Sequence, residues 1–301
     1  MSYRLQRSES VLEGVKRIAR EQLKKAESEI ENEEMDRHET VHQVRKRFKK
    51  LRGLIRLVRP AFEKTYQEEN ANYREIGRDL SAVRDAQSMI EAFDRLVEQP
   101  ESAEGTPFGG VRGHLLERRT QIAGEQSDVT ETLASMTKDI ESAKERLKDW
   151  ELKDKGFEAI AGGFEMTYAR GQIAMENAAG NKAAIEEFHE WRKRVKYHWY
   201  HCRLLVNVWK PLMKARWNQA KVLSDLLGND HDLSLLDQLL IEHEQDLPSA
   251  LEVAAFRELI QSSQKTIRRQ AFLIGARLYA DKPKHLSRRL NSWWSTWRDA
   301  A

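Results

Sequence analysis

This 301-residue sequence predicts an all-α fold that carries an internal duplication. Three observations lead there. Apolar residues recur at helical spacing with Lys, Arg, Glu and Ala between them. Only six prolines interrupt the chain, and no sustained period-two alternation is closed by tight Asn-Gly or Asp-Gly turns. The basic segment that starts at His42 is written again, 147 positions later, at His189.

The elements follow in order. Ser10 is placed to cap a first helix to about Ala26, with Glu13 at the capping-box position. A basic helix begins before His42 and stops near Pro60, and a third runs from about Tyr66 to Val97 with a break expected near Gly77–Asp85. Gln99–Gly110 reads as a loop, followed by a helix from about Val111 and another to Leu152. The glycines at 156, 162, 163, 171 and 180 suggest short helices and loops. The second half then predicts Ile185–Val208 and a helix Leu212–Leu227 ended by Gly228. Asn229 and Asp230 are placed to cap Leu233–Glu244. A long helix follows from Pro248 to about Ala280, and Pro283 precedes a last one bearing Trp293, Trp294 and Trp297. The organisation expected is one domain of two repeats, about 1–152 and 181–301, joined by 153–180.

The offset of 147 aligns His42 with His189, Arg45 with Arg192, Lys46 with Lys193, Arg47 with Arg194 and Lys49 with Lys196. With Arg56/Arg203 and Leu57/Leu204 it makes seven identities in sixteen ungapped positions. It also pairs Leu80 with Leu227 and Asp85 with Asp232, and sets Arg84 against His231. A register held this long favours duplication over chance. Duplicated helical halves are expected to pack about a pseudo-two-fold axis, which would bring the two basic helices to one surface.

The net charge of +3 conceals a separation. His42–Arg59 carries +8 and His189–Arg203 carries +4, which leaves −9 for the rest of the chain. A mildly acidic body with two basic stripes speaks for a localised anion site. The single cysteine, Cys202, permits no disulfide within the chain and fits a reducing cytoplasm. No signal-peptide core and no 18-residue apolar stretch are found, so no membrane span is expected.

At about 100° per residue, His42, Arg45, Lys49, Arg52 and Arg56 share a sector of roughly 80°, while Val44, Phe48, Leu51, Ile55 and Val58 form an apolar sector. The row from Arg45 to Arg56 spans about 16 Å, longer than one phosphate group. Arginine forks grip phosphate oxygens bidentately and lysine adds a point charge. Acidic partners at i+4 are missing, unlike in an ordinary salt-bridged surface helix. His189, Arg192, Lys196 and Arg203 repeat the row, with Trp199 where the first helix has Arg52. Lys46 and Lys193 flank these rows.

Other constellations are weaker. His38 and His42 stand at metal-ligand spacing, and His198, His201 and Cys202 form a small group, but no converging carboxylates or thiols accompany either. No metal and no cofactor are expected. No Gly-rich phosphate loop, nucleophile elbow or HExxH motif occurs. Asp85 and Asp232 read better as caps or arginine-orienting carboxylates than as general bases.

HQVRKRFKKLR with AVRDAQ, repeated as HEWRKRVKYHWY with NDHDLSLL, resembles the CHAD family, the conserved histidine α-helical domain. The closing stretch GARLYADKPKHLSRRLNSWW is similar to that family's last helices. The resemblance implies two antiparallel four-helix bundles related by a pseudo-two-fold axis and a basic surface for inorganic polyphosphate. Some relatives carry a triphosphatase domain, whose Glu-x-Glu-x-Lys signature is absent here, so a non-catalytic binding module is expected. It would be cytoplasmic and associated with polyphosphate granules. Phosphate contacts are expected from His42, Arg45, Lys46, Lys49, Arg52, Arg56, His189, Arg192, Lys193, Lys196 and Arg203, with Arg84, Arg277, Lys284 and Arg288 at the rim. Trp199 and His231 depart from the pattern, which makes the first half the fuller ladder. A nucleic-acid backbone is a competing partner, disfavoured by the acidic body and the lack of a base-reading motif. A metal-dependent phosphohydrolase is a third reading.

Overall fold

The computed structural model describes residues 3–78, 81–98, 108–125, 129–180, 184–247 and 249–300. Among the described residues there are eleven α-helices and no strand. They are α1 (Val11–Ile30), α2 (Arg37–Leu57), α3 (Glu63–Arg78), α4 (Ser81–Val97), α5 (Gly109–Glu125) and α6 (Val129–Arg146). The rest are α7 (Glu158–Ala178), α8 (Ile185–Leu204), α9 (Lys210–Glu242), α10 (Ala250–Leu278) and α11 (Pro283–Asp299). The all-α expectation holds. Residues 99–107 of the expected loop lie outside the described residues.

Local signals place several boundaries. Ser10 Oγ accepts from Glu13 N at 3.2 Å while Glu13 Oε2 accepts from Ser10 N at 2.7 Å, so the capping box forms as the sequence predicts. Ser249 caps α10 through Glu252 N, and Pro283 occupies the first position of α11.

Two readings are corrected. The glycine-bearing stretch 156–180 holds one helix of 21 residues, α7, and not short helices and loops. The glycines inside it, Gly162, Gly163 and Gly171, serve helix packing. A Cβ on Gly163 would lie 2.0 Å from the carbonyl oxygen of Leu57, so only hydrogen fits where α7 presses on the end of α2. The expected break at Gly228 is also absent: α9 continues through it for 33 residues, about 50 Å. Asp230 does not cap a new helix. It is buried and accepts from Arg268 Nε at 2.7 Å and from Gln264 Nε2 at 3.2 Å. Tertiary contact has overridden a local stop signal there.

Helix positions extend the duplication beyond the basic segments. α7 begins 147 residues after α1, α8 148 after α2, and α9 147 after α3. The first half splits its third helix into α3 and α4, whereas the second runs the equivalent length as α9 alone.

The hydrophobic cores do not follow the repeats. A larger core joins α1, α2, α3 and α6 with α7, α8, α11 and the first half of α9, through side chains such as Ile18, Phe48, Tyr73, Phe164, Trp191 and Leu223. A smaller one joins α4 and α5 to the second half of α9 and to α10, through Phe93, Leu236 and Phe256. Each core draws on both halves, so neither half closes its own interior. At the centre, α2 packs on α7 and α8, and α8 packs on α7 and α9.

Gly163→Ala is expected to cost about 1–3 kcal/mol or more, because the backbone it strikes cannot rotate away. Gly113→Ala, on α5 with open space around its Cβ position, is expected to be neutral or stabilising by up to about 1 kcal/mol. Urea midpoints of the two variants check this contrast.

Candidate anion-binding site

Helices α2 and α8 bury their apolar faces in the larger core. On α2 this face includes Val44, Phe48, Leu51 and Ile55, continued by Val58 just past its end; on α8 it includes Phe188, Trp191 and Val195. The cationic faces are thereby left toward solvent. Lys46, Lys49 and Lys193 are exposed, while His42, Arg45, Arg52, Arg56, His189, Arg192, Lys196 and Arg203 are half-buried.

The two helices touch at Gly53 and Tyr200, which occupy equivalent positions in the repeat. A Cβ on Gly53 would lie 2.8 Å from the Tyr200 ring, so glycine allows the approach. His201 Nε2 lies 3.0 Å from the carbonyl oxygen of Gly53 and, as the donor tautomer, ties the helices together.

This crossing makes the cations of one helix act on those of the other. Burial pushes Lys196 down to about 8. Arg192 of its own helix and Lys46 of α2 add to that, against Asp225 and Asp232. Burial also lowers His189, followed by Lys193 and Arg192 and, across the crossing, Lys49 of α2. His231 of α9 faces His189 with their Nδ1 atoms 3.3 Å apart. Burial, then Arg192 and His189, push His231 down to about 3. Both imidazoles therefore favour their neutral forms, which suits a hydrogen bond between rings amid positive charge.

Two flanks extend this centre. On one, Arg52 Nε and Arg56 Nη2 donate to Asn70 Oδ1 at 3.3 and 3.1 Å, and Arg56 Nη1 donates to Tyr66 Oη at 2.8 Å. The Arg56 guanidinium also stacks 4.2 Å from the Tyr197 ring centre, and Arg59 stacks on Tyr66 at 4.7 Å. Arg170 of α7 joins this flank, its proton affinity lowered by burial and then by Arg194, Arg59 and Arg56. On the other, Lys50 is pushed down to about 7 by burial and then by Arg47, Lys46, Arg203 and Lys25. Arg203 stacks on Trp217 at 4.9 Å.

Arg47 and Arg194, equivalent in the repeat, are held by carboxylates. Arg47 Nε donates to Glu29 Oε1 at 3.1 Å, and Arg194 pairs with Glu190. Glu190 also pairs with Lys193 at 2.5 Å. Arg277, Lys284 and Arg288 are exposed on α10 and α11, whose main packing partners are α9 and α7 and not α2. The side chains of Arg84, Asp85 and His38 lie outside the described residues. Asp232 accepts a long contact, 3.5 Å, from Arg95 Nη2, in keeping with an arginine-orienting carboxylate.

The sequence pattern overlooked Arg170, Lys50 and Arg59. Arg170 belongs to α7, within the stretch 153–180 that the sequence predicts as a connector. Lys50 and Arg59 stand in the basic run, but helical phase alone sets them off the main row.

The His198–Cys202 group lies in the core. Arg216 Nε donates to His198 Nε2 at 3.1 Å, and burial pushes His201 down to about 3 and Cys202 up to about 11. Among the described residues no three His, Cys, Asp or Glu side chains gather where they could hold a metal ion. No helix of the described residues is long and apolar enough to cross a membrane.

An all-helical protein with two equivalent histidine- and arginine-bearing helices crossed at its centre is the class that fold and site define. Residues 17–241 match the CHAD domain family, and the chain belongs to it. No curated protein matches this sequence.

The lysine shifts carry a pH signature. Lys50 binds its proton less tightly folded than unfolded. Between pH 7 and its ordinary value the unfolded chain holds more protons, so stability rises with pH. The urea midpoint of the ligand-free protein is expected to climb from pH 6.5 to pH 9. Lys50→Met should raise the midpoint at pH 6.5 and flatten the climb.

Proposed function

We propose that this protein binds inorganic polyphosphate along the crossed helices α2 and α8 and does not hydrolyse it. The carrying observation is that α2 and α8 meet directly at Gly53, against Tyr200 and His201, which sets the cations of one helix beside those of the other. Like charges held this close raise the energy of the empty site, and a linear polyanion relieves them.

The chemistry suits repeated phosphates. Arg45, Arg52, Arg56 and Arg192 offer forked donors, while Lys46, Lys49, Lys193 and Lys196 offer point charges along the same path. His42 and His189 stand at the start of each row, where the His189 ring, favouring its neutral form, adds a donor without more repulsion. Aromatic rings under Arg56 and Arg203 orient the guanidinium groups and limit what binding costs in side-chain entropy. Family membership supports the same partner, and association with polyphosphate granules in the cytoplasm follows from it as part of this proposal.

The test is titration with long-chain polyphosphate at several salt concentrations. Lys49→Gln/Lys196→Gln removes one charge from the equivalent position of each half. At about 1.5 kcal/mol per charge-assisted contact, affinity should fall about a hundredfold, and the salt dependence should become shallower. Relief of a partly buried charge should leave the variant at least as stable as the parent, so the loss is not unfolding. Unchanged affinity overturns the proposal. Displacement by duplex DNA at equal charge concentration would instead favour a nucleic-acid backbone, and phosphate release with Mg²⁺ would reveal a hydrolase.

A further inference from the structure

The two ends of the chain meet away from the crossing and form an open cleft of about 890 Å³. Its wall includes Arg4, Arg7, Asn207, Lys210, Trp297 and Arg298. Four of those six are cations, and among the described residues no acidic side chain lines it. Arg4, Arg7 and Lys210 are exposed. Glu9, which acts on Arg298, is clamped by Arg17 at 2.6 and 2.7 Å.

The cleft is built by fixed contacts. Leu5 N donates to the Leu204 carbonyl at 2.9 Å, and Asn207 Nδ2 donates back to the Leu5 carbonyl at 2.8 Å. Arg17 Nη2 holds the Arg4 carbonyl at 3.0 Å. Arg298 donates to the Arg7 carbonyl, and its guanidinium stacks 4.7 Å from Trp294 and 5.2 Å from Trp297. The N-terminal strand of chain is thus strapped to the end of α8 on one side and to α11 on the other. Trp297 supplies an apolar wall, beside which charge contacts gain strength.

The same strap reaches the crossed helices. Tyr3 Oη donates to the Lys50 carbonyl at 2.7 Å, the Lys50 ammonium lies 5.9 Å from the Tyr3 ring centre, and Tyr3 packs edge-on against Tyr200. Arg203 stands one residue from the α8 carbonyl that Leu5 binds, and Arg4 acts on it. Cations therefore continue from Lys46 through Lys50 and Arg203 to Arg4 and the cleft, which favours one extended polyanion over an isolated small anion.

We propose that this cleft is a second phosphate subsite, holding the distal end of a polyphosphate chain whose middle lies along α2 and α8. The inference rests on the polyphosphate reading above. Arg4, Arg7, Trp297 and Arg298 lie outside residues 17–241, the stretch that matches the family.

The experiment compares long-chain polyphosphate with tripolyphosphate on the full chain. Arg4→Gln/Arg7→Gln/Lys210→Gln removes three exposed charges whose side chains lie in the wall. Long-chain affinity should fall about tenfold or more, while tripolyphosphate affinity stays within about twofold. Lys138→Gln/Lys155→Gln/Lys265→Gln, three exposed cations elsewhere, should change neither. Lys210→Glu alone provides a second variant with the same expected selectivity for long chains. Unchanged long-chain affinity in the wall variants overturns the subsite alone. So does an equal loss for both ligands, or the same loss in the control variant, since either reports only the overall field. Failure of the parent protein to bind either ligand overturns the subsite and the polyphosphate reading together.

Discussion

The structure depends on the close crossing of α2 and α8 at Gly53. α2 is the most cationic helix of the chain and α8 sets five further Lys and Arg side chains against it, so left to electrostatics the two would separate. Their apolar faces are shared by one core, and the missing side chain at Gly53 lets Tyr200 and His201 seat directly against the α2 backbone. Hydrophobic burial decides the geometry, and repulsion is confined to the solvent side of the crossing. A charge pattern that resists folding is in this way gathered on one face.

The protein limits that repulsion without abolishing it. Arg47 and Arg194 are diverted to Glu29 and Glu190. Asp225 and Asp232 offset part of the field at Lys196. His189 and His231 favour neutrality, and Arg56, Arg59 and Arg203 lean on aromatic rings. The cations crowded nearest one another include Lys46, Lys50, Arg192 and Lys196. Lys50 and Lys196 hold their protons far less tightly than an ordinary lysine, first through burial and then through these neighbouring cations.

The duplication is followed in backbone and varied in chemistry. Arg56 of α2 stacks on Tyr197 of α8; the exchanged pair is Arg203 of α8 with Lys50 of α2, two cations where the first has a cation and a ring. Arg52 binds Asn70, whereas its counterpart Trp199 stacks on Tyr200. The two flanks of the crossing are therefore different surfaces. One is braced by tyrosine and asparagine, and the other opens toward the N-terminal strap and the terminal cleft.

The sequence by itself determined the helical class, the capping box at Ser10, the extent of α2 and the pairing of His42 with His189, because each is written in neighbouring residues at fixed helical or repeat spacing. Tertiary structure decided the rest. Gly163 reads as a loop signal until the Leu57 carbonyl beside it shows that glycine is what lets α7 pack on α2. Gly228 and Asp230 read as a helix end until Arg268 of α10 claims the Asp230 carboxylate and α9 runs on. Arg170 joins the cationic flank although 111 residues separate it from Arg59. Local spacing specifies which face of a helix is charged, but which faces meet is set by burial between segments far apart in the chain. That meeting turned two basic stripes into one surface.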